Sequence, residues 1–449
     1  MPRQLLETGD GLISSGSSQS LLEDGPKPSS QSPSQSPFQG IKSQVTESQS
    51  TTSTMASQKS KTRLVRNSQG GFMLWHGMKL SGLARFLKTK PPIHWTRLHR
   101  LLSLPPAAAM NSVLAAAESA VYGRAVQRTE VKQDPLFVFG YWRSGTTLLQ
   151  TLLSHDSRFQ HLGLFRAMFP WHFLLTEKLI TPWTGWALPK GRPMDNMKVT
   201  WDAPQEDDLA LCVMSQISPS LVTAHPSNPK YFWDAIDFNR LPEQDVQRWR
   251  DSLKLLVRKM TYSCDKQVLM KSPFHMYHIP LLREMFPNSK FIYIHRNPYD
   301  VWRSSLHLRR RTIEENCLGK KPFENAGHEE ELIKSMKFGF DVYERDRMDL
   351  PDDCLHEVRY EDLTSNPIET LRATYDQLGL GQFDALETSL QPELEAMKNY
   401  KKNQFTDDPV WVNRVYDELR PLFDRFDYQK PGSSDPASAT PNQSSRSPK

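Results

Sequence analysis

The chain of 449 residues lacks any C-x-x-C pair; its four cysteines, Cys212, Cys264, Cys317 and Cys354, are scattered. That spacing argues against a zinc ribbon and a disulfide framework, and implies a reducing, cytoplasmic setting. The histidines show no metal-ligand spacing, so no metal site is assigned. No stretch reaches the ~18 consecutive apolar residues of a membrane span, and no apolar secretory segment follows Met1. Large apolar side chains are scarce at both ends. Residues 11–60 are mostly Ser, Gln, Pro and Thr, and 430–449 read "KPGSSDPASATPNQSSRSPK". Neither stretch can bury enough surface to offset the entropy of ordering, so both read as disordered tails.

Acidic residues are missing between Glu47 and Glu118. In that gap fall Lys59, Lys61, Arg63, Arg66, Lys79, Arg85, Lys88, Lys90, Arg97 and Arg100. Interleaved with them are Phe72, Met73, Leu74, Trp75, Met78, Leu83 and Phe86. Two readings are open for 59–100. One is a peripheral contact with an anionic membrane; the other is a helix packed on the catalytic domain with its lysines in water. A chain begun at Met55 instead of Met1 would carry a basic leader resembling an organelle-targeting segment. The expected organisation is a disordered tail at 1–60, a basic amphipathic and helical segment at 61–130, one large domain at 131–429, and a disordered tail at 430–449.

What is present is an alternation of strands and helices. "PLFVFG" (135–140) reads as a buried strand, followed by the helix "GTTLLQTLLSH". "QVLMK" (267–271), "KFIYIHR" (290–296) and "LHEVRYEDL" (355–363) read as three more strands. Each leads into a helix: one from Ser272 and Pro273, one from Asn297 and Pro298, one over "NPIETLRATYDQLGL". A further helix is expected around 107–121. The fold class is α/β and P-loop-like, with a mainly parallel central sheet flanked by helices on both faces. Ligands of such sheets bind at the carboxyl ends of the strands.

"GYWRSGTT" (140–147) resembles a phosphate-binding loop without its lysine. Gly140 and Gly145 have the right spacing, but Thr146 stands where G-x-x-x-x-G-K-[ST] has lysine. Backbone N–H groups and a helix N-terminus still make an anion site there. Without the lysine a triphosphate is poorly served. A single 5′-phosphate bearing a transferable group fits better, with Arg143 covering the extra charge. Arg296 ends the third strand and Ser304 lies two turns into the next helix, so the pair can grip a second phosphate.

The blocks "FVFGYWRSGTTLLQTLLSHDSRF", "MKSPFHMYHIPLLREMFPNSKFIYIHRNPYDVWRSS" and "VRYEDLTSNPIETLRATYDQLGL" resemble sulfotransferases that use 3′-phosphoadenosine 5′-phosphosulfate. The likeness is to the carbohydrate- and tyrosylprotein-type branch with its bacterial members, and spans about 135–425. It implies that Arg143, Ser144, Gly145, Thr146 and Thr147 hold the 5′-phosphosulfate. It implies that Arg296 and Ser304 grip the 3′-phosphate, and that Lys271 stabilises the leaving group. Tyr360 resembles a position near the nucleotide. Lys401 or Lys402, in "NYKKNQF", resembles a contact from a closing segment.

The glutamate that follows the loop helix in the tyrosylprotein branch has no counterpart in "HLGLFRAMFP". "WDAPQEDDLALCVMSQI" (201–217) offers a replacement: with Pro204 starting a helix, Glu206 shares the inward face with Leu209 and Ala210. Glu206 is the candidate general base. Acids in a first helical turn are also favoured by the helix dipole alone, so Asp207, Asp208, His172, His225, His275 and no side-chain base stay open. Trp171, Trp183, Trp186, Trp201 and Trp233 read as core or loop anchors in preference to sugar platforms.

The expected activity is sulfuryl transfer from the phosphosulfate co-substrate to a hydroxyl or amine acceptor. Glycan, lipid, small alcohol and protein tyrosine all remain open as acceptors, with a tilt toward an amphiphilic one. No nucleic-acid partner is assigned. The rival readings are a P-loop kinase with a displaced cation and a non-catalytic nucleotide binder.

Overall fold

The computed structural model describes residues 73–188, 199–319, 327–398 and 408–432. The two tails expected at 1–60 and 430–449 lie outside these residues, apart from 430–432; so do Lys401 and Lys402. Five strands form one wholly parallel sheet: β1 (Leu136–Phe139), β2 (Phe159–His161), β3 (Gln267–Lys271), β4 (Lys290–His295) and β5 (Leu355–Arg359). Their order across the sheet is β2-β3-β1-β4-β5. β1 is therefore central, and the strands carrying the basic residues are its immediate neighbours. β2 is the strand that the sequence hides: three residues are too few to show a period.

Alternation along the strands divides the core in two, as a parallel sheet covered on both faces requires. Phe137, Phe139, Met270, Phe291 and Tyr293 pack on one face. Leu136, Val138, Leu269, Ile292, Ile294 and Val358 pack on the other. The second face is closed by the helix after β1 and by helices that follow β5, through Leu149, Leu152, Leu371 and Tyr375.

Residues 59–72 of the basic N-terminal segment lie outside the described residues; from Met73 to Phe86 its apolar side chains pack on the protein, as in the second of its two readings. Met73, Leu74, Trp75 and Met78, then Leu83 and Phe86 of helix α1 (Leu80–Lys88), are buried against Met168, Cys212, Val213 and Leu221. These side chains face protein and offer nothing to a membrane. Helix α2 runs over Leu98–Arg128, far longer than the expected 107–121. The helix expected after Ser272 is broken instead. Ser272 caps a 3-10 turn, Pro273–Tyr277, and an α-helix follows at Ile279–Met285. Pro280 has no N–H with which to continue the first turn.

Candidate active site

The loop after β1 is shaped by two glycines. A Cβ on Gly140 would lie 2.1 Å from the Ile294 carbonyl oxygen, so β1 can approach β4 only with glycine there. Gly145 has φ +112°, and a Cβ there would meet the Tyr360 ring at 2.4 Å. Both restrictions exclude any larger residue. Arg143 also has a positive φ, 71°. A bulky residue holds that conformation only when its surroundings impose it, which is common where a side chain must be aimed. Helix α3 (Thr146–Leu153) begins directly after Gly145, so its N-terminal N–H groups open on the carboxyl edge of the sheet.

Three basic side chains converge on that edge. The Arg143 Nε donates to Ser304 Oγ at 2.9 Å. The Lys271 Nζ donates to Glu206 Oε1 at 3.1 Å and, more weakly, to Thr147 Oγ1 at 3.4 Å. Arg296 donates to Asp300 Oδ2 at 3.2 Å, and its guanidinium lies 4.5 Å from the Tyr360 ring centroid. Asp300 and Ser304 stand on one helix, Pro298–Asn316, whose N-cap Asn297 accepts from the Tyr299 N–H. One turn separates them, about 6 Å along the axis. Arg143 and Arg296 are thus tied to adjacent turns of the same helix. Ser304 is bonded to Arg143 rather than to Arg296, so it joins the two grips.

Two polar atoms in this region are buried with no hydrogen-bond partner: Ser144 Oγ and Arg296 Nε. Both residues line one cleft, with Tyr141, His295 and Phe426. Buried polar groups are nearly always satisfied, and orphans suit a polar ligand. The glycine cradle, the helix N-terminus and the converging cations together suit an anionic group.

Glu206 reaches the site by a different route from the one expected. The helix starts at Asp207, not Pro204, and Glu206 is its N-cap. Its extended backbone (φ −73°, ψ 129°) sets the carboxylate beside Lys271. The other base candidates are committed elsewhere. Asp207 and His275 are fully buried and paired, Asp207 Oδ2 lying 2.6 Å from His275 Nε2. Asp208 accepts from the hydroxyls of Ser218 and Ser220. His172 contacts Thr176 and Asn111; His225 contacts Thr89 and stacks on Tyr231. Desolvation holds both histidines down to about 4. Asp300 was missed as the holder of Arg296, although an i, i+4 spacing was there to read.

Residues 135–384 match the Sulfotransferase family. The chain belongs to the sulfotransferase family. The omega-hydroxy-beta-dihydromenaquinone-9 sulfotransferase Stf3 of Mycobacterium bovis is 30% identical over 377 residues, 84% of this chain and 96% of that protein. Stf3 of Mycobacterium tuberculosis matches equally. In three dimensions this sulfotransferase superposes on STF9 of Mycobacterium avium with a TM-score of 0.59 at 19% identity, covering 80% of this chain and 93% of that one. STF1 of Mycobacterium tuberculosis gives 0.53 at 19% identity, covering 76% and 91%. Those two likenesses establish a shared fold. The enzyme is a sulfuryl transferase, as the three sequence blocks implied.

Proposed function

We propose that the donor is 3′-phosphoadenosine 5′-phosphosulfate and that the acceptor is the hydroxyl of an amphiphilic lipid alcohol. Arg143 and the loop 144–147 hold the 5′-phosphosulfate. Arg296 and Ser304 select the 3′-phosphate, and Tyr360 backs the Arg296 guanidinium. Transfer is an in-line displacement. The acceptor oxygen bonds to sulfur as the bond from sulfur to the 5′-phosphate oxygen breaks. The electron pair leaves on that phosphate oxygen, where Lys271 stabilises it, and the acceptor proton passes to Glu206. The chemistry is largely positioning and charge stabilisation, by analogy with phosphoryl transfer.

The observation that carries this reading is the position of Lys271. It is buried, at the end of the strand beside β1, and its ammonium lies between the loop's Thr147 and Glu206. A cation and a base in contact at a phosphate-binding loop are what displacement by a hydroxyl requires. The lipid acceptor is supported by the name of the curated relative, whose substrate is a hydroxylated menaquinone derivative.

Two measurements test the reading. Adenosine 3′,5′-bisphosphate without metal should raise the melting temperature, and ATP with magnesium should not; the reverse would favour a kinase. Labelled donor should then transfer sulfur to long-chain lipid alcohols in detergent micelles. Transfer to glycans or tyrosyl peptides alone would reject the lipid acceptor and leave the donor reading intact.

A further inference from the structure

Helix α2 packs one face on the protein and leaves an apolar stripe exposed on the other. Leu104, Ala108, Asn111, Glu118 and Val126 point inward. Glu118, the only acidic residue in the helix, is consumed there: Oε1 pairs with Lys259 at 2.5 Å and Oε2 accepts from the Leu175 N–H. On the opposite side Leu98, Leu102, Met110, Val113 and Val121 are each about half exposed or more, at 45, 64, 55, 69 and 63%. Exposed Pro106 and Ala117 fall between them. The spacing, four residues throughout except for three between Met110 and Val113, keeps all seven on one stripe about 140° wide, which also carries exposed His99. No charged residue occurs between Arg100 and Glu118.

An exposed apolar surface of this extent marks an interaction site. The ends of the stripe indicate the partner. Trp95 precedes it and is 79% exposed. Arg124 and Arg128 continue the same face after Val121, and both are exposed. The neighbouring helix Phe173–Thr184, whose start is bonded to Glu118, leaves Leu179, Trp183 and, just beyond it, Trp186 exposed. Trp183 and Trp186 are 78 and 86% exposed, so of the two expected roles, core or loop anchor, neither fills the first. Lys178, on that same helix, is exposed. Aliphatic side chains, tryptophans and cations with no exposed carboxylate on the helix fit the interface of an anionic bilayer. No helix among the described residues is long and apolar enough to cross a membrane, so the helix would lie along the surface.

We propose that the exposed face of α2, with Trp183 and Trp186, docks this sulfotransferase on an anionic phospholipid surface. The inference draws its purpose, though not its structural support, from the reading of a lipid acceptor. A docked enzyme would receive a membrane-dissolved alcohol without extracting it into water.

The test is flotation of the purified full-length protein with vesicles of phosphatidylcholine alone or in equal parts with phosphatidylglycerol. Wild type should float with the mixed vesicles and less with the neutral ones, and added salt should release it. The Leu102→Glu/Val113→Glu variant should bind the mixed vesicles about a hundredfold more weakly. The Trp183→Ser/Trp186→Ser variant should show a smaller loss, and both should keep wild-type affinity for adenosine 3′,5′-bisphosphate, which establishes folding. Wild-type vesicle binding by both correctly folded variants would overturn the proposal. So would a wild-type dimer in solution, dissociated by Leu102→Glu/Val113→Glu, with no vesicle binding. Failure to float while lipid alcohols in micelles are still sulfated would reject docking alone. Flotation without any such turnover would support docking and reject the lipid acceptor.

Discussion

Lys271 is the residue whose removal most directly examines the proposed chemistry. Lys271→Met keeps the length and apolar stem of the side chain and deletes the ammonium. The bonds lost include the 3.1 Å bond to Glu206 and the 3.4 Å bond to Thr147. The second is at the limit of hydrogen-bond geometry and contributes little. The first is charge-assisted, and bonds of that class contribute about 1.5–3 kcal/mol. Glu206 is still 28% exposed, so after the substitution water can solvate it and the stability cost falls toward the lower figure. Loss of a preorganised donor at a developing negative charge costs more, about 2.7–4 kcal/mol, or a hundredfold to a thousandfold in turnover. The catalytic effect should therefore exceed the structural one. Steady-state transfer of labelled sulfate should show kcat reduced by about that factor, with affinity for adenosine 3′,5′-bisphosphate and melting temperature much less affected. Glu206→Gln should slow turnover by about a hundredfold to ten-thousandfold. The double variant should lose less than the product of the two, since both groups act in one step. A well-folded Lys271→Met enzyme with near-normal kcat would refute the assignment.

Arg296→Met should weaken adenosine 3′,5′-bisphosphate binding by about ten- to a hundredfold and leave AMP almost unaffected; calorimetry that found equal losses would remove the 3′-phosphate role. Gly145→Ala places a methyl group against Tyr360 and forces alanine to φ +112°. It should lower stability by about 1–3 kcal/mol, and Tyr360→Ala should relieve only the steric part, as denaturant midpoints would register. Burial, together with the neighbouring Glu206 and Asp207 carboxylates, raises the Asp208 carboxyl to about 7 against its ordinary 3.8, despite its two serine donors. A pKa raised on folding gives a stability contribution complete below 3.8 and lost as pH climbs through about 7. Urea midpoints should therefore decline for wild type between those values, and Asp208→Asn should lack that component; parallel curves would contradict it.

Much of the candidate site's geometry was legible because its determinants are local. A strand, two glycines and a helix start within ten residues define an anion loop wherever they occur, and the missing lysine could be seen by position. Lys271 and Arg296 were legible for the same reason: each closes an apolar run that reads as a strand. Glu206 was reached through the wrong geometry. An inward helical face was expected, whereas the residue caps the helix, and a cap position depends on where the first turn forms. The pairing of Ser304 with Arg143 was not readable at all, since it joins residues 161 positions apart.

By itself the sequence determined the parallel α/β framework, the anion loop, and the strand ends that carry cations, because strand and helix periodicities and turn glycines act over a few residues. Tertiary structure alone decided which apolar residues of the N-terminal region are covered. Hydropathy rates Leu83 and Val113 alike, and only packing buries the first, against the cluster of Met168, Cys212 and Val213, and leaves the second in contact with solvent. Burial belongs to the assembled surface, so no local pattern can assign it.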